Sequence, residues 1–238
     1  MTWSILARDD TGRVGVAIAS RFFAVGGLCV ASRGGVGIVA TQALCNPTYG
    51  PSALALLATG RSAAEVVREL TAADGGASQR QLHVLPWNGP AAAHTGADCI
   101  DWCGHLLHDD CSVAGNMLAS ESVITETARI FHATAGRPLA VRLLRALQAG
   151  DAAGGDKRGR QSAALRVQHG EDYPELDLRV DDNEQPFLEL ERLHAKSLER
   201  FQAFASCLPT RARPDGVLDR TEIEAEIDRF LKQRSPTA

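Results

Sequence analysis

The order in which strand-like and helix-like stretches follow one another limits this chain's fold more than any other feature. Residues 3–8 and 13–20 are apolar extended runs that flank Asp9-Asp10-Thr11-Gly12, whose glycine can take the positive φ of a hairpin turn. Runs 27–32 and 36–41 repeat the pattern across Arg33-Gly34-Gly35. A helix pair follows: 51–59, closed by Gly60, then a helix opened by the capping box Ser62-Ala63-Ala64-Glu65 and running to about Ala73. A second strand block occupies 80–85, 91–94, 99–106 and 111–114, with the Asn88-Gly89 turn inside it. Helices at 120–135 and 138–149, a glycine- and charge-rich loop over 150–160, and strands at 162–169 and 176–180 complete the series. A doubly wound parallel sheet needs strands and helices to alternate singly, whereas here they come in blocks. The order predicts an α+β fold of two antiparallel sheets packed face to face, each covered by a helix pair: a four-layer α/β/β/α sandwich. Weak alternation within the strands agrees, because both faces of each sheet are then covered.

Beyond residue 182 the character changes, which predicts a sandwich over 1–182 and a helical extension over 183–238. Phe187, Leu190, Leu193, Ser197, Phe201 and Phe204 recur at steps of three and four, predicting one amphipathic helix over 186–206. Arg211 to Gly216 reads as a linker, and Asp219 with Glu222 caps a last helix to about Gln233. The apolar stripe of 186–206 needs a cover, either the sandwich or a second copy. A homodimer or higher homo-oligomer is expected, since closed symmetric assemblies are the commonest.

Composition excludes several functions. A formal net charge of -4, with no basic stripe interleaved with aromatics, argues against nucleic acid. No run reaches the ~18 apolar residues of a membrane span. The start, MTWSILARDD, turns acidic where a signal peptide would turn apolar, so a cytoplasmic protein is expected. The 6 cysteines are dispersed and are expected to be thiols.

Four places carry chemistry. Thr2, once Met1 is removed, would present a hydroxyl nucleophile and a free α-amine of pKa ~7.7–8.0 in one residue; its plain alternative is the start of a strand. Gly115-Asn116 can aim a side-chain amide and a backbone N–H at a developing oxyanion, or simply make a turn. The loop from Gly154 to Ser162 gathers Asp156, Arg158, Arg160 and Gln161, which can hold a substrate carboxylate or pair among themselves. Arg21 and Asn46 end early strands and could line the same site. His94 reads as a hydrogen-bonded structural residue. Cys99, Cys103, His105, His108 and Cys111 have a loosely metal-like spacing but match no standard ligand pattern, so no metal and no cofactor are expected.

A resemblance sharpens these readings. The stretches Thr2 to Asp9, Gly15 to Phe22, Ala40 to Ala43, Asn46 to Gly50, Ala93 to Gly96, Gly115 to Leu118, Gly154 to Ala164 and Asp177 to Asp182 resemble, in order, domain of unknown function 1028. That family is placed among the N-terminal-nucleophile (Ntn) hydrolases. The resemblance covers residues 2 to about 195 and implies the Ntn sandwich, with Thr2 as nucleophile, Asn116 as oxyanion donor and Asp156 beside them. Arg21, Asn46, Gly115, Arg158, Arg160 and Gln161 would bind substrate. The implied activity is cleavage of a C–N bond in a small, anionic amide or ureido compound. The rival from a different class is a non-catalytic Ntn-fold protein that binds a ligand or partner in the same cleft.

Overall fold

Asp9 closes the first hairpin, its carboxylate accepting from the backbone N–H of Thr11 at 2.9 Å and of Arg13 at 3.1 Å, while Gly12 takes φ 80°. The computed structural model describes residues 2–234, and from this turn the elements run in the expected blocks. In chain order they are β1 (Thr2–Arg8), β2 (Val14–Ser20), α1 (Val25–Leu28), β3 (Val30–Arg33), β4 (Gly37–Ala43), α2 (Tyr49–Ala58), α3 (Ala63–Ala72), β5 (Arg80–Pro86), β6 (Ala92–Thr95), β7 (Trp102–Leu107) and β8 (Cys111–Leu118). They continue as α4 (Ser122–Ala133), α5 (Leu139–Ala152), β9 (Ser162–Gln168), β10 (Leu176–Val180), α6 (Pro186–Ser197), α7 (Phe201–Ala205) and α8 (Arg220–Arg234).

One sheet has the order β10-β9-β2-β1-β8-β7 and the other β3-β4-β5-β6, and every named pairing is antiparallel. Helices α2 and α3 cover the smaller sheet; α4 and α5 cover the larger. The four-layer sandwich is therefore the observed architecture, and β1 pairs with β2 as the hairpin signal predicts. Period-two alternation sorts the side chains. In β4, Val39 joins Leu54, Leu57, Val66, Leu82 and Val84 under α2 and α3, while Ile38 and Ala40 face the other sheet and meet Leu6, Val16, Ile18 and Leu85.

Two strand expectations shift. Residues 25–28 form a helical turn, not the start of a strand. Ala24 is left-handed at φ 53°, and a Cβ at Gly26 would lie 2.2 Å from the Ala164 Cβ, so the glycine lets this turn sit directly on β9. The strand expected over 99–106 begins only at Trp102, after Asp101 adopts φ 59°. The capping box holds: the Ser62 N–H donates to the Glu65 carboxylate at 2.9 Å, and the Glu65 N–H to the Ser62 hydroxyl at 3.3 Å.

Gly150, within α5, shows how tightly α4, α5 and β1 meet. A Cβ there would lie 2.4 Å from Thr127 Oγ1 and 2.7 Å from Trp3 Nε1. Alanine in mid-helix is ordinarily worth about 0.5–1 kcal/mol over glycine. Overpacking a filled core costs about 1–3 kcal/mol and decides the sign here. Gly150→Ala is thus expected to lower the free energy of unfolding in a urea titration, against its helix propensity.

The chain divides into two compact units, one ending at Leu190 and one beginning at Glu191. In the first, Phe187 and Leu190 are buried as expected, with the Phe187 ring 5.9 Å from that of Trp3. The single helix expected over 186–206 is instead broken between α6 and α7. Leu198 and Glu199 make tight turns back to Ala195 and Lys196, and Arg200 leaves helical geometry at φ -153°. Its guanidinium goes to Glu224 of α8 at 2.9 Å. Phe201 and Phe204 are 48% and 39% exposed in the single chain, so the cover expected for them falls to a second copy. Ala203, Cys207 and Ile227 are the buried apolar residues of this second unit, and the expected linker is a turn in which Gly216 takes φ 65°. No described helix is long and apolar enough to cross a membrane.

Candidate active site

The space between the two sheets is apolar along one part of its length and polar along the other. The polar part holds Thr2 and Ser4 of β1, Gln42 of β4, Gln81 and His83 of β5, and Ser112 and Asn116 of β8, all of them buried. Buried polar groups are tolerated when they satisfy one another, and these nearly do. The Ser4 hydroxyl donates to Gln42 Oε1 at 2.7 Å, so His83 Nε2, 2.9 Å away, must be the donor to Ser4. His83 Nδ1 is then an acceptor for the Ser112 hydroxyl at 2.9 Å, and the ring is neutral. Complete burial, helped by nearby His105, pulls its pKa down to about 3. Gln42 Nε2 donates to Gln81 Oε1 at 2.6 Å, and Gln81 Nε2 donates to the carbonyls of Gly104 and Gly115 at 3.0 and 2.9 Å.

Thr2 sits at the end of this seam. It faces Ser20 across β2 and Asn116 across β8, and its hydroxyl lies 3.0 Å from that of Ser20. Two amides hold its carbonyl: Asn116 Nδ2 at 3.3 Å and Gln42 Nε2 at 3.4 Å. Asn116 Nδ2 also donates to Gln81 Oε1 at 3.1 Å, whereas Asn116 Oδ1 is a buried acceptor without a partner. The donor end of Asn116 is therefore occupied. It can serve an oxyanion only by exchanging one of these contacts for a substrate oxygen.

The backbone here is distorted in a way that aims Asn116. Trp102 pairs with Leu118 and Gly104 with Gly115, so one residue of β7 faces two of β8, Asn116 and Met117: a β-bulge. Met117 takes φ 56° and Ala43, on the opposite sheet, φ 67°. Left-handed non-glycine residues are costly and cluster at functional sites. Ala43, Leu44, Ile100, Asn116 and Met117 line a small cavity of about 80 Å³ beside the seam, with Asp98 at its wall. Beside Thr2, Gly115 packs closely: a Cβ there would lie 2.4 Å from Leu118 Cδ1 and 3.2 Å from Trp3 Cβ.

The charged loop reaches the same end of the larger sheet. Asp156 bridges to Leu118, and its buried carboxylate accepts from the Arg21 N–H at 3.1 Å and from the Arg158 N–H at 2.8 Å. The Arg158 guanidinium, half exposed, folds back on Asp156 at 3.3 Å. The Gln161 N–H donates to the Ser20 carbonyl at 3.0 Å, and its side chain to Asp182 at 2.9 Å. Arg21 Nη1 donates to the Arg160 carbonyl at 3.1 Å, while the Arg160 side chain pairs with Asp151. Thr2, Ser20, Asn116 and Asp156 are thus gathered at one strand end, with Arg21 and Arg158 around them.

Comparison with known proteins decides the family. Residues 2–190 match the family described as "Family of unknown function (DUF1028)". The chain belongs to DUF1028. A solved structure titled as protein SPO2555 from Silicibacter pomeroyi, of the same family, is 32% identical, with a TM-score of 0.83 over 92% of this chain and 99% of that one. The Anbu (ancestral beta-subunit) structure from Yersinia bercovieri is 14% identical, with a TM-score of 0.41 over 87% of this chain and 98% of that one. No curated protein matches.

In this DUF1028 chain Asn46 lies in a cluster of its own. Its amide donates to Asp74 at 3.1 Å; the Tyr49 hydroxyl at 2.7 Å first, then the Gly76 N–H at 2.8 Å, Arg80 at 3.0 Å and Asn46 itself hold the Asp74 carboxyl well below its ordinary range. Arg80 in turn donates to the carbonyl of Leu44, on the cavity wall. His94 has its ring on the Ala77 carbonyl at 2.9 Å, as expected of a structural histidine. Sequence reading missed Gln42, Gln81 and His83. Their signal was present: Gln81 and His83 are polar residues two apart in an otherwise apolar strand, so they share a face.

Proposed function

We propose that this protein is an amidohydrolase that cleaves a C–N bond in a small anionic amide or ureido compound, with Thr2 as nucleophile. The carrying observation is the setting of Thr2: a hydroxyl at a strand end, 3.0 Å from Ser20, with its carbonyl held by two buried amides. The Thr2 Oγ would attack the substrate carbonyl carbon and pass its proton to the Thr2 α-amine, directly or through the Ser20 hydroxyl. The amine would return the proton to the leaving nitrogen, and water would then hydrolyse the Thr2 ester. Asn116 would hand one N–H from Gln81 to the oxyanion. Arg21 and Arg158, with Asp156 orienting the loop, would receive the substrate's negative end.

The reading requires a free Thr2 amine, and Met1 lies outside the described residues. Untagged protein should therefore be measured by intact mass, then offered a panel of anionic amides and ureido compounds with amine or ammonia release as readout. Expected is loss of Met1 together with release for at least one member. Turnover by protein that retains Met1 would sink Thr2 as nucleophile. Ligand binding without release, in protein lacking Met1, would assign the non-catalytic role.

A further inference from the structure

At the far end of β8 from Asn116, in the short turn from β7, Asp110 and Cys111 meet His132 in the last turn of α4. Among the described residues these are the His, Cys, Asp or Glu side chains whose ligand atoms gather as a group of three, all within 4.8 Å of one another. We propose that Asp110, Cys111 and His132 form a site for a divalent transition metal, Zn²⁺ by the chemistry of the donors.

His132 Nε2 stands 2.9 Å from Asp110 Oδ1 and 3.8 Å from Cys111 Sγ. Tetrahedral zinc, with ligand bonds of ~2.0–2.3 Å, sets its ligands roughly 3.3–3.6 Å apart, so these two separations need change by only a few tenths of an ångström, and the third, between Asp110 and Cys111, lies within 4.8 Å. A single imidazole nitrogen carries one proton or one lone pair and cannot serve a carboxylate and a thiol equally. The carboxylate, the sulfur and the imidazole nitrogen all turn toward one point, where a cation can take the place of the thiol and imidazole protons. Thiolate, imidazole and carboxylate together suit Zn²⁺ and not the all-oxygen preference of Ca²⁺ or Mg²⁺.

The surroundings fix the ligands. Arg142 Nη2 lies 3.7 Å from Asp110 Oδ2, and the same guanidinium donates to the Phe131 carbonyl at 3.3 Å and stacks 3.8 Å from the Phe131 ring centroid. The Arg8 N–H holds the Asp110 carbonyl at 2.9 Å. A carboxylate anchored from behind is the usual support of a metal ligand, although Arg142's charge also moderates affinity for a cation. The His108 ring lies 4.9 Å from that of His132 and edge-on to it. Cys111 is buried, and zinc takes up a cysteine as the thiolate. Binding therefore runs as Cys–SH + Zn²⁺ → Cys–S–Zn⁺ + H⁺, the proton going to solvent. The carboxylate and thiolate then balance the metal's charge.

The test is calorimetric titration of untagged protein with Zn²⁺, paired with Co²⁺ absorption spectra. One equivalent should bind, with affinity rising from pH 6 to pH 8 and a thiolate-to-cobalt charge-transfer band. His132→Gln, at an exposed position, should weaken Zn²⁺ at least ~10–100-fold. Cys111→Ala should remove the cobalt band; if that variant fails to fold, His132→Gln and the band in the parent decide. Absence of stoichiometric binding overturns the proposal, as does a parent complex without a thiolate band. Undiminished affinity in His132→Gln also overturns it, since the metal then sits on other cysteines.

Discussion

Thr2→Ala should abolish turnover, with kcat falling on the order of 10⁶-fold, the scale seen when a nucleophile is removed from an acting triad. The fold should survive. The Thr2 hydroxyl makes one side-chain hydrogen bond, to Ser20, and the backbone carbonyl held by Gln42 and Asn116 is untouched. Loss of one such bond costs about 1 kcal/mol, a small part of a domain's stability. Thr2→Ser keeps the hydroxyl in the same relation to the α-amine and should retain part of the rate. Circular dichroism and a urea titration beside the kinetics separate the cases. If Thr2→Ala unfolds the protein, or if it turns over normally, Thr2 is a structural strand end and not the nucleophile.

Acid should destabilise the protein well above the pH at which carboxylates titrate. His83 is neutral in the folded protein and resists protonation until about pH 3, whereas the unfolded chain takes up that proton near the ordinary imidazole value of 6.5. Between those limits the unfolded state binds more protons, so stability rises with pH and is lost as pH falls through the window. One proton changes the free energy by about 1.4 kcal/mol per pH unit, so roughly 3 kcal/mol should disappear between pH 6.5 and pH 4. The strong depression of Asp74 adds to this loss only below the ordinary carboxylate range. Urea titrations at pH 7, 6, 5 and 4 measure it, and a flat profile from 6.5 to 4.5 would contradict a buried neutral His83. His83→Leu should flatten the slope in that window even though it lowers stability at pH 7 by taking the acceptor from the Ser112 hydroxyl.

Blocks of strands and helices were legible because turns and caps are local chemistry: Asp9 to Gly12, Ser62 with Glu65, and Gly89 at φ 93° between β5 and β6 each do in the structure what their residue types favour. The placement of Thr2 beside Asn116 was legible only through resemblance, because nothing in residues 2 and 116 separately dictates that β8 pairs with β1. The polar seam was harder to see. Gln42, Gln81 and His83 are acceptable in a buried strand only through partners on the other sheet, and sequence-local rules do not supply those partners. The break after Ser197 was misread for the opposite reason. The apolar period continues through Phe201 and Phe204, but the helix geometry does not, since Arg200 turns away toward Glu224. Asn46 has the residue type of a site-lining group, yet its local partner Asp74 claims it.

β1 begins the chain but lies in the interior of its sheet, hydrogen-bonded on one side by β2 and on the other by β8. During synthesis β2 emerges almost at once, while β8 follows about a hundred residues later, which at ~5–20 residues per second leaves one edge of β1 open for roughly 5–20 s. Thr2 is only 7% exposed once both neighbours are in place. Slow translation upstream of Cys111 would lengthen that window, and refolding of the whole chain from denaturant would skip it.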